Sequence, residues 1–134
     1  MRETFNPAGW KRPKGYSNAV SAQGRLVFIA GQIGWTSEEA FETDDFIGQT
    51  RQALQNVKDA LAAAGAVPEH ITRLTWYVVD KHEYLSRLTE VGAIYREILG
   101  RVYPAMTMVQ VAGLVEDRAR IEIEATAVVP VPKD

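Results

Sequence analysis

Two glutamates near the C-terminal end are the best candidates for acid–base chemistry in this chain. Glu122 and Glu124 alternate with isoleucines at the two-residue period of a β-strand, so both carboxylates lie on one strand face. A partly buried carboxylate in such a position can take or give a proton during catalysis. The pattern alone also allows the glutamates to face solvent or to pair with Arg118 or Arg120.

Other catalytic groups are scarce. The chain has no cysteine, which excludes disulfides, thiolate nucleophiles and sulfur-ligated metals. His70 and His82 fall in expected connections without a partner at metal-ligand spacing, so we expect exposed residues and no metal site. Ser17 lacks a nucleophile-elbow pattern, and residues 31–34 lack the spacing and the lysine of a phosphate-binding loop. No cofactor is expected.

Size and charge narrow the class of protein further. The 134 residues are 46% hydrophobic and 24% charged, which suits one domain covering residues 1–134. With 15 basic and 17 acidic residues, the chain lacks the positive excess that would attract nucleic acid or an anionic membrane. The basic cluster at residues 11–14 is interpreted as a solvated loop. The first residues contain no apolar run, so neither a signal peptide nor a membrane span is predicted and a cytoplasmic protein is expected.

Hydrophobic periodicity predicts the elements of the N-terminal half. Residues 1–15 are interpreted as an irregular arm, and residues 16–21 and 25–33 as a β-hairpin. A helix begins at Asp44 or Asp45, either of which can cap it, because the apolar residues that follow share one helical face. The apolar face and the glycine that ends the helix are Phe46, Ala53, Leu54, Val57, Ala60, Leu61, Ala64 and Gly65.

The C-terminal half continues the alternation of strand and helix. Residues 73–79 are aromatic and β-branched, which favours a buried strand, and residues 84–99 repeat apolar side chains at helical spacing up to Gly100. Two closing strands are predicted over residues 105–112 and 119–129. The predicted order is therefore ββαβαββ.

An uncovered sheet face is the main consequence of this order. Short right-handed crossovers place both helices on one face of the sheet. The other face cannot be simply solvated, since both sides of residues 26–33 and 74–79 are apolar or aromatic. We therefore expect a homo-oligomer that buries this face.

The closing segment also resembles a known family. It reads Tyr103-Pro104-Ala105-Met106-Thr107-Met108-Val109, then a turn, then Ile121-Glu122-Ile123-Glu124-Ala125-Thr126-Ala127. This is similar to the closing strands of the RidA/YjgF family of enamine/imine deaminases. Further similar positions, in the family's order, are residues 15–20, residues 27–33, Gln49, Asn56, Val57, Gly65 and Tyr95. The chain departs from the family at Met106, usually an arginine that grips the substrate carboxylate, and at Gly92, often an asparagine.

The resemblance implies a fold and an assembly. The expected fold is a chorismate-mutase-like α+β domain, with a mixed ββαβαββ sheet and two helices on one face. Three subunits would pack their sheets around a central barrel as a homotrimer. Three small-molecule clefts would then lie between neighbouring subunits.

The resemblance also implies roles for particular residues. Glu122 matches the glutamate that positions or activates the hydrolytic water, and Tyr16 matches a tyrosine whose hydroxyl lies at the same cleft. The Gly31 backbone matches the wall that receives polar ligand atoms. Tyr16 can equally be a packed interface aromatic. The other expected substrate-binding positions are Gly92, Met106, Thr107 and Val109.

Met106 decides which substrates are expected. A methionine cannot pair with a carboxylate, so simple amino-acid imines should bind poorly unless Arg73 or Arg101 reaches the pocket. The hypothesis is hydrolytic deamination of a different enamine or imine, catalysed by Glu122 and Tyr16. The alternative is a trimer that binds a metabolite without turnover. A role in RNA cleavage has no support in the charge distribution.

Overall fold

The computed structural model describes residues 2–132, which form six strands and three helices. The strands are β1 (Arg2–Phe5), β2 (Ala19–Ala22), β3 (Arg25–Ile33), β4 (Ile71–Val78), β5 (Ala105–Gln110) and β6 (Ile121–Val129). The helices are α1 (Phe46–Ala63), α2 (Lys81–Leu85) and α3 (Leu88–Ile98), and a single 3₁₀ turn spans Pro68–His70.

The main sheet is mixed, as predicted. Its four strands lie in the order β3, β6, β4, β5, with β4 and β5 parallel and β6 antiparallel to both of its neighbours. The apolar side chains of β4 and β6 pack against α1 and α3 in one core that includes Leu74, Trp76, Ile121 and Ile123. The α+β fold class is thereby confirmed.

The predicted N-terminal hairpin is wrong. Strand β2 pairs with β1, which lies in the expected irregular arm, while β3 pairs with β6. Gly24 lies against the end of β6, since a methyl group at this residue would lie 2.1 Å from the carbonyl oxygen of Val129. Residue 1 of the predicted arm lies outside the described residues.

Helix α1 begins and ends as its sequence predicts. The carboxylate of Asp45 accepts a hydrogen bond from the Gly48 amide at 3.1 Å and another from Arg87 at 2.9 Å. Gly65 has a φ of 73°, the left-handed conformation that follows many helices. The predicted apolar face is buried at Phe46, Ala53, Leu54, Val57 and Leu61.

Replacing Asp45 tests this cap. The hydrogen bond from Arg87, reinforced by the Gly48 amide, holds the pKa of Asp45 below its ordinary value of 3.8. A lowered pKa stabilises the fold above pH 3.8, and this contribution is lost as the pH falls through the folded-state pKa. Asp45→Ala should lower the free energy of unfolding by about 1 kcal/mol at pH 7. Asp45→Asn keeps a hydrogen-bond acceptor, so it should lose less unfolding free energy than Asp45→Ala. This loss, measured by urea unfolding, should become smaller between pH 5 and pH 3. A loss that does not change with pH would contradict the ion pair with Arg87.

The second predicted helix is broken into α2 and α3. Arg87 between them has φ −133° and ψ 35°, outside the helical region, and its guanidinium pairs with both Asp45 and Glu90. Leu85 and Leu88 beside the break are each 51% exposed, so part of the apolar periodicity does not face the core.

The sheet face away from the helices, called the open face below, leaves large apolar side chains exposed within residues 2–132. Phe28 and Leu26 of β3 project from this face and are 73% and 60% exposed, and Val109 of β5 is exposed as well. Among residues 2–132, no helix is both long and apolar enough to cross a membrane.

Candidate functional site

A cavity of about 540 Å³ lies on the helix side of the sheet, between α3 and the edge strand β5. The lining residues come from α2, α3, β4, β5 and two connecting segments. They are Lys14, Gly15, Tyr16, Trp76, Tyr84, Leu88, Val91, Gly92, Tyr95, Arg96, Tyr103, Met106 and Met108.

Ser17 holds the N-terminal segment against the start of β5. Its amide donates to the Pro104 carbonyl at 3.0 Å, and its hydroxyl donates to the Tyr103 carbonyl at 2.6 Å. These bonds place Tyr16 at the cavity, on the side of Met106. Because the Ser17 side chain is buried and bonded to backbone, it acts as a structural anchor.

Stacked aromatic rings form the inner wall of the cavity. The ring of Tyr95 stacks on Trp76 at 6.3 Å and on Tyr103 at 6.4 Å between centroids. The Tyr95 hydroxyl donates to the Val102 carbonyl. Burial, and to a lesser degree the neighbouring Tyr103, raises the pKa of Tyr95 far above its ordinary value, so this phenol stays neutral.

Arg96 is a cavity residue that the sequence analysis missed. It lies one helical turn after Gly92 on α3, and a methyl group at Gly92 would come within 3.2 Å of Arg96 Nη1. Because Gly92 has no side chain, the Arg96 guanidinium can lie close to its backbone. The sequence does contain a signal for this contact, because Gly92 and Arg96 are four residues apart and therefore lie on the same helix face.

Glu122 and Gly31 meet on the open face. A β-bulge between Ile29 and Gln32 shifts the register of β3 against β6 at this point. A methyl group at Gly31 would lie 2.2 Å from Glu122 Oε2, so only glycine leaves room for the carboxylate in this position.

The two neighbouring glutamates have different surroundings. Glu124 accepts a hydrogen bond from the Tyr77 hydroxyl at 2.7 Å, and this bond, more than desolvation, raises the pKa of Tyr77. Among residues 2–132, Glu122 accepts no side-chain hydrogen bond. The alternative that Arg118 or Arg120 would neutralise these glutamates is wrong.

The two arginines have other partners. Arg118 pairs with Asp44 at 2.9 Å, and Arg120 pairs with Glu83 at 2.8 Å.

The expected site residues fall into two groups within one chain. Tyr16, Gly92 and Met106 line the cavity, whereas Gly31 and Glu122 lie on the open face. Thr107 and Val109 also belong to the open face. Thr107 and Val109 were expected to line the pocket next to Met106. Within residues 2–132 they do not, because Met106 lines the cavity on the other side of the sheet.

Strand alternation causes this division. Met106 is paired with buried Leu74, while Thr107 is paired with Thr75 of the open face. The two arginines considered as substitutes do not line the cavity either: Arg73 is exposed on β4, and Arg101 is exposed in the loop before β5. Among residues 2–132, no group of three His, Asp or Glu side chains could hold a metal ion.

Known proteins share this fold and sequence. Residues 10–129 match the family described as endoribonuclease L-PSP. A 2-iminobutanoate/2-iminopropanoate deaminase of Salmonella typhimurium is 34% identical over 105 residues, covering 78% of this chain and 80% of the relative. The crystal structure of YyfB, a Rid family protein of unknown function from Yersinia pestis, has a TM-score of 0.83 at 34% identity and covers 96% of this chain and 98% of YyfB. The structure of E. coli TdcF with bound serine has a TM-score of 0.67 at 30% identity, covering 88% and 91% of the two chains.

Fold and cavity together define an α+β domain with room for a small organic molecule. The chain belongs to the RidA/YjgF family, as its matched length and its relatives establish. The sequence-based identification of the family is therefore confirmed.

Proposed function

We propose that this protein hydrolyses an enamine or imine, bulkier than the simplest amino-acid imines, in clefts between the subunits of a homotrimer. The observation that carries this proposal is the Glu122 carboxylate, free of an ion pair among residues 2–132 and packed on the Gly31 backbone. The deaminase name of the Salmonella relative and the serine in TdcF support an amino-acid-derived substrate.

Assembly is needed because the reacting groups are divided within one chain. The Gly31–Glu122 pair lies at edge strand β3, and the cavity lies at the opposite edge strand, β5. In the proposed trimer the β3 edge of one copy overlaps the β5 edge of the next, so that the open face of the first copy lies over the helix-side cavity of the second. Each seam then joins the glutamate of one subunit to the cavity of its neighbour.

The chemistry requires only water and a base. Glu122 takes a proton from a water molecule while the water oxygen adds to the imine carbon. Glu122 returns this proton to the nitrogen, which gives the carbinolamine. Transfer of the carbinolamine's hydroxyl proton to the nitrogen then lets the carbon–nitrogen bond break, and ammonia leaves a carbonyl product. An enamine first becomes an imine by protonation at carbon. The Tyr16 hydroxyl and the Gly31 backbone orient the substrate in this scheme.

The cavity determines the substrate preference. Met106 occupies the cavity wall where the resemblance places an arginine, and it lies beside further apolar and aromatic side chains. A thioether favours an apolar group over a carboxylate. A substrate with a large apolar side chain therefore fits better than a three-carbon imine.

Imines of two sizes test the proposal. An amino-acid oxidase can generate them from alanine and phenylalanine, and semicarbazide traps whatever survives hydrolysis. Wild-type protein should show a kcat/KM at least about tenfold higher for the phenylalanine imine, because burial of the ring stabilises binding. Met106→Arg should raise hydrolysis of the alanine imine, whereas the uncharged Met106→Leu should not.

Other outcomes decide between the two functions. Faster hydrolysis of the alanine imine than of the phenylalanine imine would contradict the assigned pocket. The same conclusion would follow if Met106→Arg assembled correctly and did not raise hydrolysis of the alanine imine. If neither imine is hydrolysed but ligands still bind, the non-catalytic binding trimer is the better description.

A further inference from the structure

Trp76, a residue of the cavity wall, carries a buried hydrogen-bond donor that has no partner within residues 2–132. The side chain of Trp76 is 2% exposed, and its indole Nε1 makes no hydrogen bond within residues 2–132. Trp76 is also one of the residues that line the cavity. A buried donor without an acceptor is unfavourable, so a ligand that presents an acceptor here gains a bond with little competition from water.

The cavity is also cationic. Lys14 and Arg96, both exposed to solvent, line it, and among residues 2–132 no aspartate or glutamate does. Within residues 2–132, neither cation forms an ion pair, although five other arginine–carboxylate contacts are present. An anionic group on a ligand would therefore meet a positive charge that no protein carboxylate neutralises.

The rest of the wall is apolar and aromatic. Met106 and Met108 face the stacked rings of Tyr95 and Tyr103. The phenol of Tyr95 is already bonded to the Val102 carbonyl, so it does not compete for the ligand. A volume of about 540 Å³ accommodates a molecule considerably larger than an alanine-derived imine.

We propose that the cavity binds a monocarboxylate with a bulky apolar body and a separate acceptor atom. Arg96, assisted by Lys14, holds the carboxylate, and the Trp76 indole donates to the acceptor. Arg96 thus supplies from α3 the cation that position 106 lacks, at a different distance from the reacting bond. This inference rests on the proposed function for the statement that such a ligand is a substrate, whereas binding itself stands on the cavity.

Four small molecules test the ligand class. The complete probe is 4-oxo-4-phenylbutanoate, which has a carboxylate, a ring and a ketone oxygen. Its amide lacks the charge, 4-oxopentanoate lacks the ring, and 4-phenylbutanoate lacks the ketone. In calorimetry the complete probe should bind at least about tenfold more tightly than the amide or 4-oxopentanoate, as expected for loss of a charge-assisted bond or of a buried ring.

Variants and NMR assign the roles of the two residues. Arg96→Gln should weaken binding of the complete probe about tenfold. Arg96→Lys keeps the charge and should therefore bind the probe more tightly than Arg96→Gln. The exposed control Arg101→Gln should have the same affinity as wild type. The Trp76 indole signal, identified by its loss in Trp76→Phe, should move downfield in wild-type protein with 4-oxo-4-phenylbutanoate and much less with 4-phenylbutanoate.

The failures of the two proposals can be distinguished. Equal binding by Arg96→Gln and wild type, or an unmoved Trp76 signal, would overturn this inference even if imines are hydrolysed. Binding that depends on Arg96, without any imine hydrolysis, would support the inference about the cavity ligand. It would contradict only the proposed function.

Discussion

Phe28→Glu is expected to convert the assembled protein into a monomer. Phe28 lies on edge strand β3, is 73% exposed in one chain, and stands beside Leu26 on the open face. Burial of such a ring between copies is worth about 1.5–3 kcal/mol for each subunit. A glutamate removes this contribution and adds the cost of burying a charge. Sedimentation velocity should show trimers for wild type and monomers for the variant.

Val115→Glu is the matched control for this experiment. Val115 is 96% exposed in the connection between β5 and β6, so a charge there should leave assembly unchanged. Imine hydrolysis should disappear in Phe28→Glu together with assembly, because in the proposed trimer each seam completes one site. A trimeric Phe28→Glu protein, or a monomeric wild type, would contradict the trimer and the shared cleft.

Glu122→Gln should abolish turnover and preserve binding. The amide keeps the size of the side chain on the Gly31 backbone but cannot accept a proton from water. Loss of a general base typically lowers kcat by about 10²–10⁴. The affinity for 4-oxo-4-phenylbutanoate should stay within about twofold of wild type, since the carboxylate acts on water and not on the ligand's anionic group.

Glu124→Gln controls for the loss of a negative charge on the same strand face. Glu124 accepts a hydrogen bond from Tyr77, so its replacement should affect stability more than turnover. Gly31→Ala provides an independent variant, because its methyl group would overlap the Glu122 carboxyl and displace it. Full activity in Glu122→Gln would remove the glutamate from the mechanism.

The parts of the structure that local patterns determine were predictable. Helix α1 follows from an apolar face between Asp45 and Gly65, and the alternation in β6 buries Ile121 and Ile123 on the helix side. Such signals act over a few residues and do not depend on distant partners. Hydrophobic periodicity also predicted the order ββαβαββ, and the family resemblance added the chorismate-mutase-like arrangement of these elements.

The parts that depend on long-range pairing were not predictable from one sequence. The pairing of β3 with β6 instead of β2 brings Gly24 against Val129, which is distant from it in the sequence. Strand alternation alone separates Met106 from Thr107, but which of the two faces the helices depends on how β5 packs beside β4. In the sequence, Trp76 cannot be distinguished from an ordinary aromatic residue of a protein core. Only the structure reveals that its indole nitrogen lacks an acceptor.

Strand β5 separates two environments with a single layer of backbone. Its even-numbered methionines, Met106 and Met108, line the cavity, while its odd-numbered residues, Thr107 and Val109, lie on the open face, where the proposed trimer brings copies together. Under the two proposals, substitutions at Met106 or Met108 should change ligand preference first, and substitutions at Thr107 or Val109 should change assembly and, through it, activity. Insertion of one residue into this strand would exchange the two sets and damage both properties at once.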